Sequence, residues 1–536
     1  MNLTYSNCLK KHFNDYTCKV LITSTITWLP FELLMSEVEE KISNNNSGAE
    51  FYRTTIMGLR LKGNKSMPAS KYINKILFKV LTNGYFYLYF LQCTFLVFSL
   101  KLKLKESKDF NRLKIRNIKI GDIVAAEYLR NPTKGNGKLK VDFRFYILTL
   151  KYLFVFLNFD RSIKLLLKKY KPSDIRFSLQ ETSFKDEMLR RFMISKKMYF
   201  EYQFDKYLGK FLLFEYGPCC EGRVFEYTPK LSDITQEEIE QCRLNLDKRI
   251  FEGIAVWTGN VTDIDSSLKL DEESHLMIDN SKPTALVFLH AVADDQFRCG
   301  LDCFISIDDF HRYTIKTVLS LGYQCILKPH PGIKSALHPD KSEIDDRYVL
   351  NLFDDFGLNY RKTTDSYDKM IHKSSKISGL FAMNPKVSIK SIKDKFDFIT
   401  LTHHGTITYE ALHLRIPVLK YRYCKSREFD FAHSWKDRES YLKLLEYYAK
   451  NRTLPVAEFK DNYLTVSAVL SRKKKFNDYN KVFINSYKEY YPENKLNIPP
   501  KNSADSIKNV EIIGNCYNND ESYQSYIKNQ LQDLIG

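Results

Sequence analysis

The stretch Phe396 to Tyr421, FDFITLTHHGTITYEALHLRIPVLKY, decides the fold class. Its first part, Phe396 to Thr402, is apolar and β-branched and predicts a buried strand. Gly405 then permits a tight turn, and Thr406 and Thr408 stand where a helix begins. Pro417 to Tyr421 (PVLKY) predicts the next strand. Strand, helix and strand joined by short links form the unit of a parallel sheet. Upstream the pattern repeats. Thr284 to Leu289 (TALVFL) predicts a buried strand, and Phe310, Tyr313, Thr317, Val318 and Leu321 share one helix face. Gln324 to Lys328 (QCILK) predicts a second strand that ends in Pro329-His330-Pro331. These elements predict a doubly wound α/β domain over residues 280–475.

The first half is less regular. Cys18 to Trp28 has a strand pattern, a helical stretch (FELLMSEVEEKI) follows, and a polar break leads toward another strand. Val80 to Leu100 then runs for 21 residues without a charge, with Lys79 before it and Lys101, Lys103 and Lys105 after it. That length would span a bilayer. Its internal Thr82, Asn83, Gly84, Gln92 and Thr94 and its seven aromatics fit a buried or interfacial helix better. It reads as a hydrophobic helical insertion, within 80–100, in an N-terminal α/β domain. Leu113 to Pro132 alternates and then turns at Gly121-Asp122. Tyr146 to Tyr170 is helical, and Asp174 to Glu181 is a strand followed by the helical KDEMLRRFMI. Residues 230–250 predict a surface helix, and the polar stretch 258–283 predicts a domain boundary. The expected organisation is 1–270, 280–475 and a helical tail over 476–536.

The chain of 536 residues is long enough for several cores. Its 44% hydrophobic and 14% aromatic residues exclude a disordered chain, and sparse Gly and Pro exclude collagen-like and Pro-rich classes. The formal charge of +18 calls for an anionic partner: nucleic acid, an acidic membrane face or a phosphorylated substrate. The 11 cysteines include no C-x-x-C pair, which speaks against structural zinc and for a reducing compartment. The opening residues lack the apolar core of a secretory signal. Gly135 to Lys138 (GNGK) lacks the spacing of a phosphate-binding P-loop.

In open α/β sheets ligands bind at the carboxyl ends of the strands. That selects His290 to Asp295 (HAVADD), Lys328 to Gly332 (KPHPG) and His403 to Glu410 (HHGTITYE). Free N–H groups at a helix start suit a phosphate, with Thr406 and Thr408 adding hydroxyls and Glu410 accepting from ribose. A Thr cap with a dipole-favoured Glu is the structural alternative. His330, held between two prolines, has a fixed direction and suits a phosphate donor, and Lys328 adds charge.

KPHPG, followed further on by THHGTITYEALHLRIPVLKY, resembles the C-terminal half of GT-B glycosyltransferases of bacterial surface polysaccharides, the Kdo transferases among them. The His-Pro motif is similar to one in CMP-sugar-using bacterial sialyltransferases, where it contacts the donor phosphate. IKIGDIVAAEYLR resembles an Ile-Gly-Asp stretch of the same group. Together these motifs lie sparsely between 113 and 421. The resemblance implies two Rossmann-like domains facing a cleft, with the nucleotide sugar on the C-terminal one and the acceptor on the other. It implies that His330, Lys328, His404, Gly405, Thr406, Thr408, Glu410, His290 and Asp294 line the donor side, with Asp295 beside them.

Glycosyl transfer needs a carboxylate to activate the acceptor or attack the sugar. Glu181 and Asp122, each at a predicted strand end, are the candidates, and each also suits a helix cap. The two-acid-plus-Gly motif of the sialyltransferases is absent at both, so stereochemistry stays open. Asp263-Ile264-Asp265 lies in the polar boundary and reads as linker, and adjacent His403 and His404 make a poor metal pair, so metal-independent transfer without a cofactor is expected. The expected partners are a nucleotide sugar (CMP-sugar before UDP-sugar), a glycan or lipid-linked acceptor, and an anionic membrane surface at the inner face of the cytoplasmic membrane. The rivals are a glycerophosphotransferase of teichoic-type polymers using CDP-glycerol, and a basic nucleic-acid-binding protein. For the second, no recognition motif is present.

Overall fold

The computed structural model describes residues 18–24, 39–40, 42–44, 48–55, 58–61, 84–130, 138–171, 174–180, 184–195, 202–205, 210–213, 215–216, 223–224, 231–252, 254–255, 260–261, 277–290, 292, 302–330, 339–358, 362–363, 366–367, 371–403, 405–422, 429–475, 489–491 and 519–535. In the first half, β1 (Val20–Ser24), β2 (Glu50–Thr55) and β3 (Gly58–Leu61) precede the apolar helix α1 (Gly84–Lys103). A 3-10 turn (Ser107–Arg112) leads to a short hairpin of β4 (Lys114–Ile115) and β5 (Ile118–Lys119). Then come α2 (Gly121–Arg130), α3 (Phe143–Lys169), β6 (Ile175–Gln180), α4 (Phe184–Ser195), β7 (Tyr202–Asp205) and β8 (Lys210–Leu213). The first sheet has the order β3-β2-β1-β6-β7-β8. β2, β1, β6 and β7 are parallel, and β3 and β8 pair antiparallel at the edges.

The core of this half is mostly helical. Tyr89, Cys93, Val97 and Leu100, three to four residues apart, form one stripe of α1 that joins α2, α3 and α4 in a single cluster. Among the described residues the sheet adds Val20, Ile22 and Ile175 to it, with Tyr52 packed against it. The predicted alternating strand before Gly121-Asp122 is only the four paired residues of the β4–β5 hairpin, and Gly121 already opens a helix. A Cβ on Gly121 would lie 2.2 Å from the Phe110 carbonyl oxygen, so only glycine fits where the hairpin meets α2.

In the second half, α5 (Gln236–Glu252) precedes β9 (Thr284–Phe288), α6 (Ile307–Ser320), β10 (Gln324–Lys328) and α7 (Pro339–Asp355). β11 (Ile371–Lys373), β12 (Leu380–Met383), α8 (Ile389–Lys393), β13 (Ile399–Thr402), α9 (Ile407–His413), β14 (Val418–Tyr421) and β15 (Ser434–Trp435) follow. α10 (Arg438–Asn451), α11 (Tyr463–Lys475) and α12 (Glu521–Ile535) come last. The sheet order is β11-β12-β10-β9-β13-β14-β15, with every neighbouring pair parallel except β11–β12. The chain builds outward from β9 through β10 to β12, then returns to the other side of β9 with β13, β14 and β15. The direction of winding therefore reverses between β9 and β13, as in a doubly wound sheet.

Burial alternates along each strand. Ala285 and Val287 face one cluster with α6, α7 and α10, while Leu286 faces another with α5, α8, α9 and α11. Helix α5, read from the sequence as a surface helix before the boundary, buries Cys242, Leu246 and Ile250 and packs against α11, α9 and α8. It belongs to the C-terminal layer. Polar contacts cross between the halves: Ser107 exchanges hydrogen bonds with the backbone of Asp302, and Lys138 Nζ lies 3.2 Å from Asp355. The tail helix α12 reaches back to the first half through Lys528, 2.7 Å from Glu40.

Candidate functional site

Two histidines meet at the carboxyl end of the second sheet. The β9–β10 ladder continues one residue past β9, since the Leu289 amide donates to the Lys328 carbonyl at 2.9 Å. His290 and His330 follow on adjacent parallel strands, and their ring centroids are 6.5 Å apart. His330 is exposed and His290 half-buried. Behind them sits His311 of α6, fully enclosed. Its Nε2 accepts the His290 amide at 3.2 Å, and its Nδ1 is 2.8 Å from the Tyr348 hydroxyl. An Nε2 that accepts a backbone amide carries no proton, so the neutral Nδ1–H tautomer is the one that fits. Burial pushes the His311 pKa well down, as does the charge of His290. His311 thus fixes the backbone from which the His290 side chain projects.

The loop after β13 is the third side. The His403 carbonyl accepts the Tyr421 amide at 3.0 Å, which holds His403 in line with the strands. Its ring stacks on Tyr421 at 4.8 Å, and its Nε2 bonds the Asp302 carboxylate. Asp302 in turn bonds Ser107 of the first half through its backbone. Next along the chain, Gly405 has φ +134°, a conformation that side-chain-bearing residues rarely adopt. Thr406 caps α9 without a side-chain cap hydrogen bond, and α9 is only seven residues long.

The predicted donor-side residues divide accordingly. His290, His330, Gly405 and Thr406 come to the strand ends at the surface. Lys328, Thr408 and Glu410 do not, since all three are buried. Lys328 Nζ donates to the Pro385 carbonyl at 2.5 Å, and burial pushes its pKa down to about 7. It adds no exposed charge. Glu410 Oε1 takes Arg249 Nε of α5 at 2.5 Å, so this carboxylate clasps α5 to the sheet instead of meeting a ribose. His404, Asp294 and Asp295 lie outside the described residues.

Of the two predicted carboxylates, Glu181 lies outside the described residues, directly after β6. Asp122 is corrected to a structural role. It is buried in the first turn of α2, and both its oxygens are taken by Arg191 of α4 at 2.7 and 2.5 Å. Arg191 also donates to Glu187 at 3.0 Å and to the Lys119 carbonyl at 2.7 Å. A carboxylate enclosed in this way fastens α2 to α4 and has no free oxygen for an acceptor hydroxyl. Among the described residues no group of three or more His, Cys, Asp or Glu side chains is arranged to hold a metal ion.

Sequence reading missed His311 and Asp302 as parts of the site's frame, and it took His403 only as the start of the third loop. His311 carries no signal of its own, because its spacing simply continues the buried face of α6. Asp302 is far from His403 in sequence, and only the folded sheet joins them.

No family model and no curated protein matches the chain. Two solved structures are similar in architecture. One is the beta Kdo 2,4 transferase KpsC of Thermosulfurimonas dismutans, at 11% identity and a TM-score of 0.30, over 55% of this chain and 78% of that one. The other is the UDP-GlcNAc 2-epimerase of Methanocaldococcus jannaschii in complex with UDP-GlcNAc and UDP, at 12% identity and a TM-score of 0.24, over 84% of this chain and 98% of that one. Both scores are low, so the functional reading rests on the geometry of the strand-end site.

Proposed function

We propose that the chain is a GT-B-type glycosyltransferase that takes a nucleotide sugar at the carboxyl end of its second sheet. The observation that carries this reading is the meeting of His290 and His330 on adjacent parallel strands, beside the reversal between β9 and β13. Ligands of open α/β sheets bind at that place. Two imidazoles there suit the developing negative charge on a leaving nucleotide phosphate, and donors fixed in advance lower a barrier more than mobile ones. His330 is fixed by its flanking prolines and His290 by the His311 contact. Gly405 lets the backbone approach from the third side. The carboxylate that activates the acceptor is assigned to Glu181 after β6, since Asp122 is committed to Arg191.

The His-Pro motif favours a CMP-sugar donor, and the resemblance to surface-polysaccharide enzymes favours a bacterial glycan or lipid-linked acceptor. The test is a thermal-shift panel of CMP, UDP, GDP, CDP-glycerol and a short oligonucleotide. A ligand that binds only the native state raises the melting temperature. A selective rise with CMP supports the reading, and a rise with UDP or GDP keeps the transferase and changes the donor. A rise with CDP-glycerol alone replaces sugar transfer by glycerophosphate transfer. A response to the oligonucleotide alone removes the reading.

A further inference from the structure

Helix α1 is apolar on two opposite sides. Tyr89, Cys93, Val97 and Leu100 face α3 and are buried. On the outward side Leu88, Leu91, Phe95, Phe98 and Leu102 recur at three- and four-residue steps and are exposed, Phe95 to 71%. Only 22% of the helix's most apolar window is buried. Phe143 and Ile147 of α3 extend the exposed area. They flank Tyr146, whose hydroxyl is 2.9 Å from Thr94 Oγ1 and whose ring packs on Phe90. A continuous apolar surface of this kind marks an interaction site. From Gly84 to Lys105 there is no acidic residue, and Lys101, Lys103 and Lys105 are exposed where the apolar stripe ends.

We infer that this face of α1 seats the protein on an anionic lipid bilayer, with the helix lying in the interface. Three features select that occupant. The lysines at the end of the stripe need negative charge opposite them, and lipid phosphates supply it. A second copy of the helix carries no acid to meet them. The helix does not cross the bilayer, because its other side is committed to charged neighbours: Arg116 donates to the Tyr89 hydroxyl at 2.8 Å and pairs with Asp160, which also holds Lys164. Crossing would carry these groups into hydrocarbon at high cost. At about 1.5 Å per residue the strip from Leu88 to Leu102 is about 21 Å long, enough for interfacial contact when helped by adjacent cations. The inference is independent of the nucleotide site.

The test is flotation of the full chain with vesicles of phosphatidylcholine alone and with phosphatidylglycerol added. The wild type is expected to float with the anionic vesicles and to lose binding as salt is raised. The triple variant Leu91→Ser/Phe95→Ser/Phe98→Ser is expected to bind at least about tenfold more weakly, since three apolar side chains no longer leave water on binding. Lys101→Gln/Lys103→Gln is expected to remove the preference for anionic lipid. All five positions are exposed, so melting temperature and the nucleotide-induced shift should stay as in the wild type, which separates failure here from failure of the transferase reading. Should the triple variant not fold, Phe95→Trp with brominated lipid gives a second readout, quenching above that of the wild type. No flotation of the wild type, undiminished binding by the folded triple variant, or absence of added quenching overturns the inference. So does a concentration-dependent dimer that the triple variant breaks, which would give the face to a second copy.

Discussion

The two halves of this chain bury similar chemistry by different means. In the C-terminal half the inner strands β9, β10, β12, β13 and β14 are short apolar runs covered on both faces, and helices close two separate clusters against them. In the N-terminal half one cluster gathers α1, α2, α3 and α4, and Val20, Ile22 and Ile175 join it from the described part of the sheet. The first arrangement is held mainly by non-directional burial spread over many side chains. The second adds a buried ion pair, Asp122–Arg191, whose partners are both only 6% exposed. The C-terminal half has a pair of its own, Glu410–Arg249 between α9 and α5, while His290, His330 and His403 stand at strand ends, where they frame a site. Burial spread over a sheet leaves its edge free for ligands, whereas a helical layer fastened by charge leaves its outer face as its free surface.

The largest expected effect breaks that fastening. Asp122→Ala leaves the Arg191 guanidinium buried without its main partner and should cost about 3–5 kcal/mol. Denaturant unfolding would show an early transition in the N-terminal half, while the nucleotide-induced thermal shift persists. If one cooperative transition moved as a whole, the two halves would not be energetically separate. A smaller effect is expected from His330→Ala. The side chain is exposed, so stability should hold, while turnover falls by roughly 10², as when a donor to a developing anion is lost. Unchanged turnover in the folded variant would take His330 out of the site.

A graded effect, smaller per pH unit than either of these, is a pH dependence in the C-terminal half. Lys328 has a folded pKa of about 7 because of burial, well below its ordinary value. Above pH 7 the unfolded chain binds a proton that the folded chain does not, so stability rises with pH from about 7 until the ordinary lysine value. In that window the contribution is about 1.4 kcal/mol per pH unit. Lys328→Met should be less dependent on pH, with the gap between variant and wild type changing at that rate from pH 7 to pH 9. Parallel curves would mean that Lys328 keeps its proton through the Pro385 carbonyl.

The parts legible in the sequence share one physical reason. β9, β10, β13 and β14 are each buried on both faces, so their apolar runs are continuous and bounded by Gly or Pro, and local pattern suffices. The strand-end rule then put His290, His330 and Gly405 at one edge of the sheet, which is where the fold has them. It failed for Lys328 and Glu410 because sequence position says which end of an element a residue occupies, not whether its side chain turns inward to Pro385 or Arg249. Asp122 failed for a related reason. Its partner Arg191 is on another helix, so the Gly-Asp pair looked like a strand-end motif when it marks close packing and an ion pair. Helix α1 was half legible. Its composition announced an apolar helix, while the division between a buried and an exposed side exists only once α3 lies against it.

The register of the second sheet has a consequence for how the chain is made. Ala285 of β9 pairs on one side with Cys325 and on the other with Ile399. As the chain leaves the ribosome, β9 finds β10 soon and then waits with an open, apolar flank until β13 has been synthesised. Non-local parallel pairing of this kind is slow, and an open apolar edge is a template for other chains. The strand that centres the finished sheet is therefore its weakest point during synthesis, and truncation before Ile399 should yield an aggregating product instead of a smaller folded one.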